Sequence, residues 1–411
     1  MTDIPAATAS YRREPPSVLV ILTTGRPSYR QAADSLRLNI ERWEPSAARV
    51  DLLVNFDPAY LPAKPADFFE PACAPLADGG RVLLAGPEFI PRARWLESPE
   101  RKALASISPV TGYGQKKNAC LLFAARHRYD IALFWDDDEY ALHVEQENGT
   151  ERWASTDVIG AHVRADADVT FGFWTGYVSP IPDSFFTDVS EETRLALTRA
   201  LAPVTDVVDE ATFFERSATY CVPPAGARRR AAEIPEDRGG KWVSGGNLAV
   251  RLPAVTAGRL PAFYTPADSR GDDSVFSARL HDAAVISVPA GIFHDAFGTL
   301  AHADLREPYL LPADPAPAGD STERFASVIR GWLAYAPILT ILRQADRAAG
   351  LVDDSAAQLE RCDSELLAYF GSAWAWPPPS QLLRLYLSAA GRELAEYERT
   401  QCVWRALCGA R

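Results

Sequence analysis

Ser17-Val-Leu-Val-Ile-Leu-Thr-Thr24 is the stretch that decides the fold. It is a short, β-branched, apolar run ended by Gly25, the pattern of a buried strand. Pro27 then opens a helix. Within it Tyr29, Ala33, Leu36, Ile40 and Trp43 recur at spacings of four, three, four and three, one stripe to lay against a sheet, and Pro45 stops it. Val50 to Phe56 is the next strand. Strand, helix and strand within about 40 residues form a βαβ unit, which implies a parallel sheet with ligands at the carboxyl ends of its strands.

Outward from that unit the pattern repeats. Arg81 to Ala85 reads as a strand, Gln115 to Arg128 as a helix, and Asp130 to Trp135 as a strand that runs directly into four acids. From about 182 to 240 the chain is irregular, with a helix at Glu191 to Leu201 and a basic run at Arg228 to Arg230, and is expected to be a flexible insertion. Beyond Asp320 strand signals stop. Three amphipathic helical segments follow, about 322–349, 356–370 and 381–407, the last two separated by Trp376-Pro-Pro-Pro379.

Composition limits the function. At 411 residues the chain is long enough for two to three domains at about 150 residues each. With 47% hydrophobic and 23% charged residues it is globular rather than disordered. Its net charge of −12 has the wrong sign for polyanion binding, so nucleic acid is not expected as a partner. Six cysteines without a CxxC argue for free thiols in a reducing cytoplasm. No signal peptide or transmembrane segment is read, because no stretch approaches the roughly 18 apolar residues a span is expected to need.

Four constellations carry chemistry. In Phe134-Trp-Asp-Asp-Asp-Glu139, alternation along an extended chain turns Asp136 and Asp138 to one side and Asp137 to the other. Crowded carboxylates of this kind favour a hard divalent cation, Mg²⁺ or Mn²⁺, held together with substrate phosphates. Gly112-Tyr-Gly-Gln-Lys-Lys-Asn118 heads a helix whose N-terminus suits an anion. It holds Lys116 and Lys117, two of only five lysines in the chain. Trp242-Val-Ser-Gly-Gly-Asn247 places Gly245 and Gly246 where a ligand or another backbone can approach closely. Ser269-Arg-Gly-Asp-Asp-Ser274 opens a helix with two acids, Asp272 and Asp273; capping needs one, which leaves the other for general-base work. His294, after a strand-like run from Val285 to Phe293, either completes a metal shell or is a buried structural histidine. Trp174, Tyr177 and Trp242 either stack on a sugar or belong to the core. Arg228 to Arg230 either clamp phosphate or are solvated loop charge.

The order of these motifs resembles that of the nucleotide-sugar glycosyltransferases of the GT-A fold, family 2 in particular, over about residues 17–294. The resemblance implies an α/β fold with a Rossmann-like, mostly parallel sheet flanked by helices. On that basis residues 1–16 are a disordered lead, 17–320 the GT-A catalytic domain and 321–411 a C-terminal α-helical appendage that no family motif covers. It also implies a donor site at Thr23, Thr24, Arg26 and Asp57, with Lys116, Lys117, Asn118, Asp136 and Asp137, although Val54-Asn-Phe-Asp57 departs from the family's usual Asp-Asp-Gly-Ser. Metal ligation falls on Asp138, with Asp136 and His294. Asp273 matches the family's base and Asp272 shapes the acceptor pocket, which Trp242, Gly245, Gly246 and Asn247 complete.

The expected activity is metal-dependent transfer of a sugar from a nucleoside diphosphate sugar, UDP- or GDP-linked, to a hydroxyl of a glycan, natural-product or peptide acceptor, with inversion. A retaining transferase, a sugar-phosphate nucleotidyltransferase and a non-catalytic sugar-nucleotide-binding module are the rival readings. The nucleotidyltransferase is disfavoured by Thr24-Gly-Arg-Pro-Ser-Tyr29, which lacks that class's GxGTRLxPLT loop. The C-terminal helices offer a surface for a homodimer.

Overall fold

Ser17–Thr24 forms strand β1, buried along its whole length at the centre of a sheet. The computed structural model describes residues 15–25, 29–43, 48–56, 73–86, 88–108, 113–177, 179–206, 221–226, 230–298, 300, 305 and 318–409. Two residues expected at the site, Arg26 and Asp57, lie outside these residues, as do residues 1–14, Arg228 and Arg229.

In chain order the first half holds helix α1 (Tyr29–Trp43), strands β2 (Arg49–Phe56) and β3 (Val82–Ala85), and helices α2 (Ser98–Ile107) and α3 (Tyr113–Arg126). Then come β4 (Ile131–Asp136), β5 (Glu139–Tyr140), β6 (His143–Glu147), β7 (Thr150–Ala154), α4 (Val158–Arg164) and β8 (Val169–Gly176). Next are α5 (Asp183–Asp188), α6 (Glu191–Leu201), β9 (Ala232–Glu233), β10 (Leu248–Arg251), α7 (Leu252–Thr256), α8 (Asp272–Ser277) and β11 (Val285–His294). The chain ends in α9 (Ala318–Gln344), α10 (Ala348–Phe370) and α11 (Pro379–Gly409).

The main sheet runs β3-β2-β1-β4-β10-β8-β11-β5, with β9 beside β11. β1, β2, β3 and β4 are mutually parallel, and β8 and β11 share their direction, because β10 lies antiparallel to both β4 and β8. The expected α/β fold with a mostly parallel sheet is therefore present. Packing is two-sided, as the uninterrupted apolar strands require. Tyr29, Ala33, Leu36 and Ile40 of α1, with Val158 and Ile159 of α4, cover one face. Leu104 of α2 and Ala119 to Ala125 of α3 cover the other.

The C-terminal helices make a third layer. α9, α10 and α11 pack around Phe325, Ile329, Leu333, Leu359, Leu366 and Leu383, and they take in Phe185, Leu197 and Leu201 from α5 and α6. Part of the stretch read as a flexible insertion is thus helical and built into this layer. The layer is tied to the sheet domain through α11: Trp404 Nε1 donates to the Leu260 carbonyl at 3.2 Å, and Gln401 bonds the Ala262 amide and carbonyl at 2.8 and 3.0 Å. The expectation that no stretch is apolar enough to span a membrane needs correction. One within 321–373 is long and apolar enough by composition; 72% of that window is buried, the signature of a core helix. All six cysteines are free thiols.

Candidate active site

The register of the sheet assembles the site. Thr23 of β1 sits opposite Asn55 of β2 and Asp136 of β4, so the carboxyl ends of three neighbouring strands are level. After Asp136 the chain turns and crosses to the far side of the sheet, where Glu139 of β5 pairs with His294 of β11. That pairing brings Asp138 to His294. The Asp295 amide donates to the Asp138 carbonyl at 2.7 Å, fixing the two segments together.

The acidic run alternates as an extended chain demands, with Asp137 and Glu139 buried and Asp136 and Asp138 partly exposed. Asp137 closes the end of β1: its Oδ2 accepts from Thr24 Oγ1 at 2.8 Å and from the Gly25 amide at 3.3 Å. Glu139 is a buried hub to which the sequence assigned no role. Its Oε2 accepts from the amides of Asp136 and Asn247 at 3.0 and 3.1 Å, and its Oε1 from Trp174 Nε1 at 3.1 Å. Burial, reinforced by the charge of Asp136, pushes its pKa well above the usual carboxylate range. Gly246 makes room for it, since a Cβ there would fall 2.0 Å from Glu139 Oε1.

His294 and Asp138 form a partly exposed pair. His294 Nδ1 lies 2.6 Å from the Tyr177 carbonyl, which can only accept, so Nδ1 carries a proton and Nε2 is the ring nitrogen left to meet a ligand. That nitrogen is 3.8 Å from Asp138 Oδ1, too far for a hydrogen bond. An imidazole nitrogen near a carboxylate, with the ring oriented by a backbone carbonyl, is a pair of donor types that divalent cations use. Among the described residues no group of three or more histidine, cysteine, aspartate or glutamate side chains converges as a metal site. An ion at this pair would need its remaining ligands from substrate phosphates and water, as Mg²⁺ commonly takes them.

The second cluster lies across the Gly245–Gly246 turn. Lys117 Nζ donates to Asp272 Oδ2 at 2.9 Å and to the Gly245 carbonyl at 3.3 Å, above the rings of Phe134 and Phe263. Both charged side chains are almost wholly buried. Burial works against the Lys117 charge, but Asp272, Asp136 and Asp273 outweigh it and hold its pKa above the ordinary lysine value. Asp273 is partly exposed, and its Oδ1 accepts from the Ser274 amide at 2.9 Å. Burial, then repulsion from Asp272, raises its pKa to about 7. The two adjacent acids thus have different surroundings, Asp272 buried against Lys117 and Asp273 partly exposed.

Several residues expected at the donor or acceptor turn inward. Lys117 meets Asp272 instead of open solvent. Asn118 is fully buried, its amide exchanging bonds of 2.9 and 2.8 Å with the backbone of Phe263. Asn247 is also fully buried: its Oδ1 faces His162 Nε2 at 3.0 Å and its Nδ2 donates to the Ala290 carbonyl at 2.9 Å. Thr23, Thr24 and Lys116 are buried, Lys116 donating to the Phe56 carbonyl. Trp242 is 37% exposed and meets Phe171 and Trp174 edge to face. Between the ends of β2 and β3 and the helices α2 and α3 lies a cavity of about 260 Å³, lined by Asn55, Gly86, Phe89, Ile90, Ser108 and Lys116 among others.

No protein-family model matches the chain, and no curated protein matches it. Among solved structures it is similar to S. aureus TarS, at a TM-score of 0.32 and 12% identity over 95% of this chain. The chain spans 55% of that protein. It is similar to TarS residues 1–349 at 13% identity, covering 95% of this chain and 90% of that one, again with a TM-score of 0.32. The glucosyl-3-phosphoglycerate synthase of Mycobacterium tuberculosis, in complex with Mn²⁺, UDP-glucose and phosphoglyceric acid, also scores 0.32, at 13% identity over 77% of this chain and 80% of that one. At such scores the likeness is distant, and the chemistry is read from the side chains themselves.

Proposed function

We propose that this protein is a GT-A-type, family 2-like glycosyltransferase that moves a sugar from a nucleoside diphosphate sugar to an acceptor hydroxyl with inversion. One observation carries this reading: the same sheet edge holds a cation-competent pair, Asp138 and His294, and, beyond the Gly245–Gly246 turn, a partly exposed carboxyl, Asp273, whose pKa lies near 7.

Asp138 and His294, with Asp136 beside them, would hold Mn²⁺ or Mg²⁺. Such an ion offsets the charge that grows on a departing diphosphate. The remaining chemistry belongs to the chain. Asp273 accepts the proton of the attacking hydroxyl, and a pKa near 7 suits a base at neutral pH. Lys117 binds Asp272, which leaves Asp273 as the carboxyl for that task. Trp242 offers an exposed ring face on which an acceptor sugar stacks. The cavity beside Asn55 takes the nucleotide's heterocycle, with Lys116 at its wall.

The test is calorimetry with UDP, GDP, CDP, dTDP and ADP, each with Mn²⁺, Mg²⁺ or EDTA. Binding of one nucleotide that requires the metal supports the reading. Binding of none, or binding indifferent to EDTA, overturns it.

A further inference from the structure

The turn that carries Asp273 is clamped from two sides. On one side is α3: a Cβ on Gly114 would lie 2.3 Å from Asp272 Cβ, and Lys117, one helical turn on, binds the Asp272 carboxylate. On the other side is α9, from the helical layer. Arg330 pairs with Asp268 at 2.6 Å, and a Cβ on Gly331 would come within 3.9 Å of the Arg270 amide nitrogen. Tyr335 meets Gly271, and Ile338, Leu339 and Leu342 pack in one cluster with Val275 and Ala278. Positions 331, 335, 338 and 342 share one face of a helix, so a single stripe of α9 follows residues 268–278.

The contact at Gly271 is the closest of these. A Cβ on that glycine would fall 2.2 Å from Tyr335 Cδ1 and 2.6 Å from Cγ, so the ring occupies the space a side chain would need. The backbone of Gly271 has φ −84°, which any residue adopts, so it is the ring and not the backbone that calls for glycine. Tyr335 is 2% exposed, and among the described residues no group meets its hydroxyl in good hydrogen-bonding geometry. What it contributes is therefore the ring.

We infer that Tyr335 is a positioning residue: its ring, seated in the notch at Gly271, holds the first turn of α8 so that Asp273 faces the acceptor, which makes the helical layer part of the active site. The inference rests on the reading of Asp273 as the base.

The full chain is compared with Tyr335→Phe, Tyr335→Ala, Gly271→Ala and the Gly271→Ala/Tyr335→Ala double variant. Amide hydrogen exchange of residues 272–277 is measured against that of β4, nucleotide affinity is measured with UDP and Mn²⁺, and turnover with the sugar nucleotide that binds. Exchange at 272–277 rises in Tyr335→Ala and Gly271→Ala while β4 is unchanged. Turnover in both falls about tenfold or more, as misplacement of a reacting group entails. Nucleotide affinity and the activity of Tyr335→Phe stay within about twofold of wild type. In the double variant the added methyl enters the space vacated by the ring, so the two losses do not add. Unchanged exchange at 272–277 in Tyr335→Ala overturns the inference, as does a Tyr335→Phe variant as impaired as Tyr335→Ala. If the wild type binds no nucleotide, the transferase reading falls, while the exchange data still decide whether Tyr335 holds the turn.

Discussion

Lys117 Nζ and Asp272 Oδ2 meet at 2.9 Å with their side chains 0% and 3% exposed, a buried ion pair that joins α3 to the first turn of α8. Breaking it from one side leaves an uncompensated buried charge, which is worth about 3–5 kcal/mol of stability. Lys117→Met is therefore expected to lower the urea midpoint sharply, and adding Asp272→Asn to recover part of the loss. Equal midpoints for Lys117→Met and wild type would show that the pair is not maintained in solution.

Asp273→Asn removes the proposed base and leaves the cation pair untouched. Turnover should fall about a hundredfold or more, with nucleotide affinity preserved. The wild-type rate rises with pH through about 7, because a base works only when deprotonated and burial has lifted this carboxyl's pKa to that value. A rate profile that is flat between pH 5 and 8 would assign the proton to another group.

Asp138→Asn and His294→Ala address the other cluster. Each should weaken the Mn²⁺-dependent part of nucleotide binding seen by calorimetry, since each removes one of the few side-chain ligands proposed for the ion. Metal-dependent affinity that survives both substitutions would move the cation elsewhere.

His162 is buried between Thr170 Oγ1 at 2.8 Å and Asn247 Oδ1 at 3.0 Å, and burial lowers its pKa from 6.5 to about 4. The folded state thus binds its proton less readily than the unfolded state. Its contribution is complete above pH 6.5 and is lost as pH falls to about 4, on the order of 3 kcal/mol. The stability gap between wild type and His162→Gln should narrow over that interval in denaturant titrations. A gap independent of pH would mean that the ring titrates normally.

Gly246→Ala tests the tie between the two clusters. The methyl would collide with the Glu139 carboxylate and disturb the hub that joins Asp136, Trp174 and Asn247. A loss of about 1–3 kcal/mol is expected, the usual range for overpacking a filled interior, and is read from the thermal midpoint. A variant as stable as wild type would show that Glu139 has room to move.

Local pattern made much of this molecule legible. Uninterrupted apolar strands with a helix between them require a parallel sheet covered on both faces, and the period-two alternation of Asp136 to Glu139 separates outward from inward acids before any folding is considered. Three helices after residue 320 were equally plain from their amphipathic stripes. What sequence alone leaves open is which polar residues meet each other across long separations. Lys117, Asn118 and Asn247 resemble ligand contacts when read in isolation, yet each is engaged within the fold by a partner from elsewhere in the chain: Asp272, Phe263 and His162. Likewise the pairing of Glu139 with His294 brings Asp138 to an imidazole 156 residues away, and the helical layer meets the candidate active site along residues 268–278, with Tyr335 seated in the notch at Gly271. Periodicity is a property of neighbouring residues and survives in the written chain. The burial of a charge, and hence its pKa and its role, is decided by what the tertiary fold sets against it.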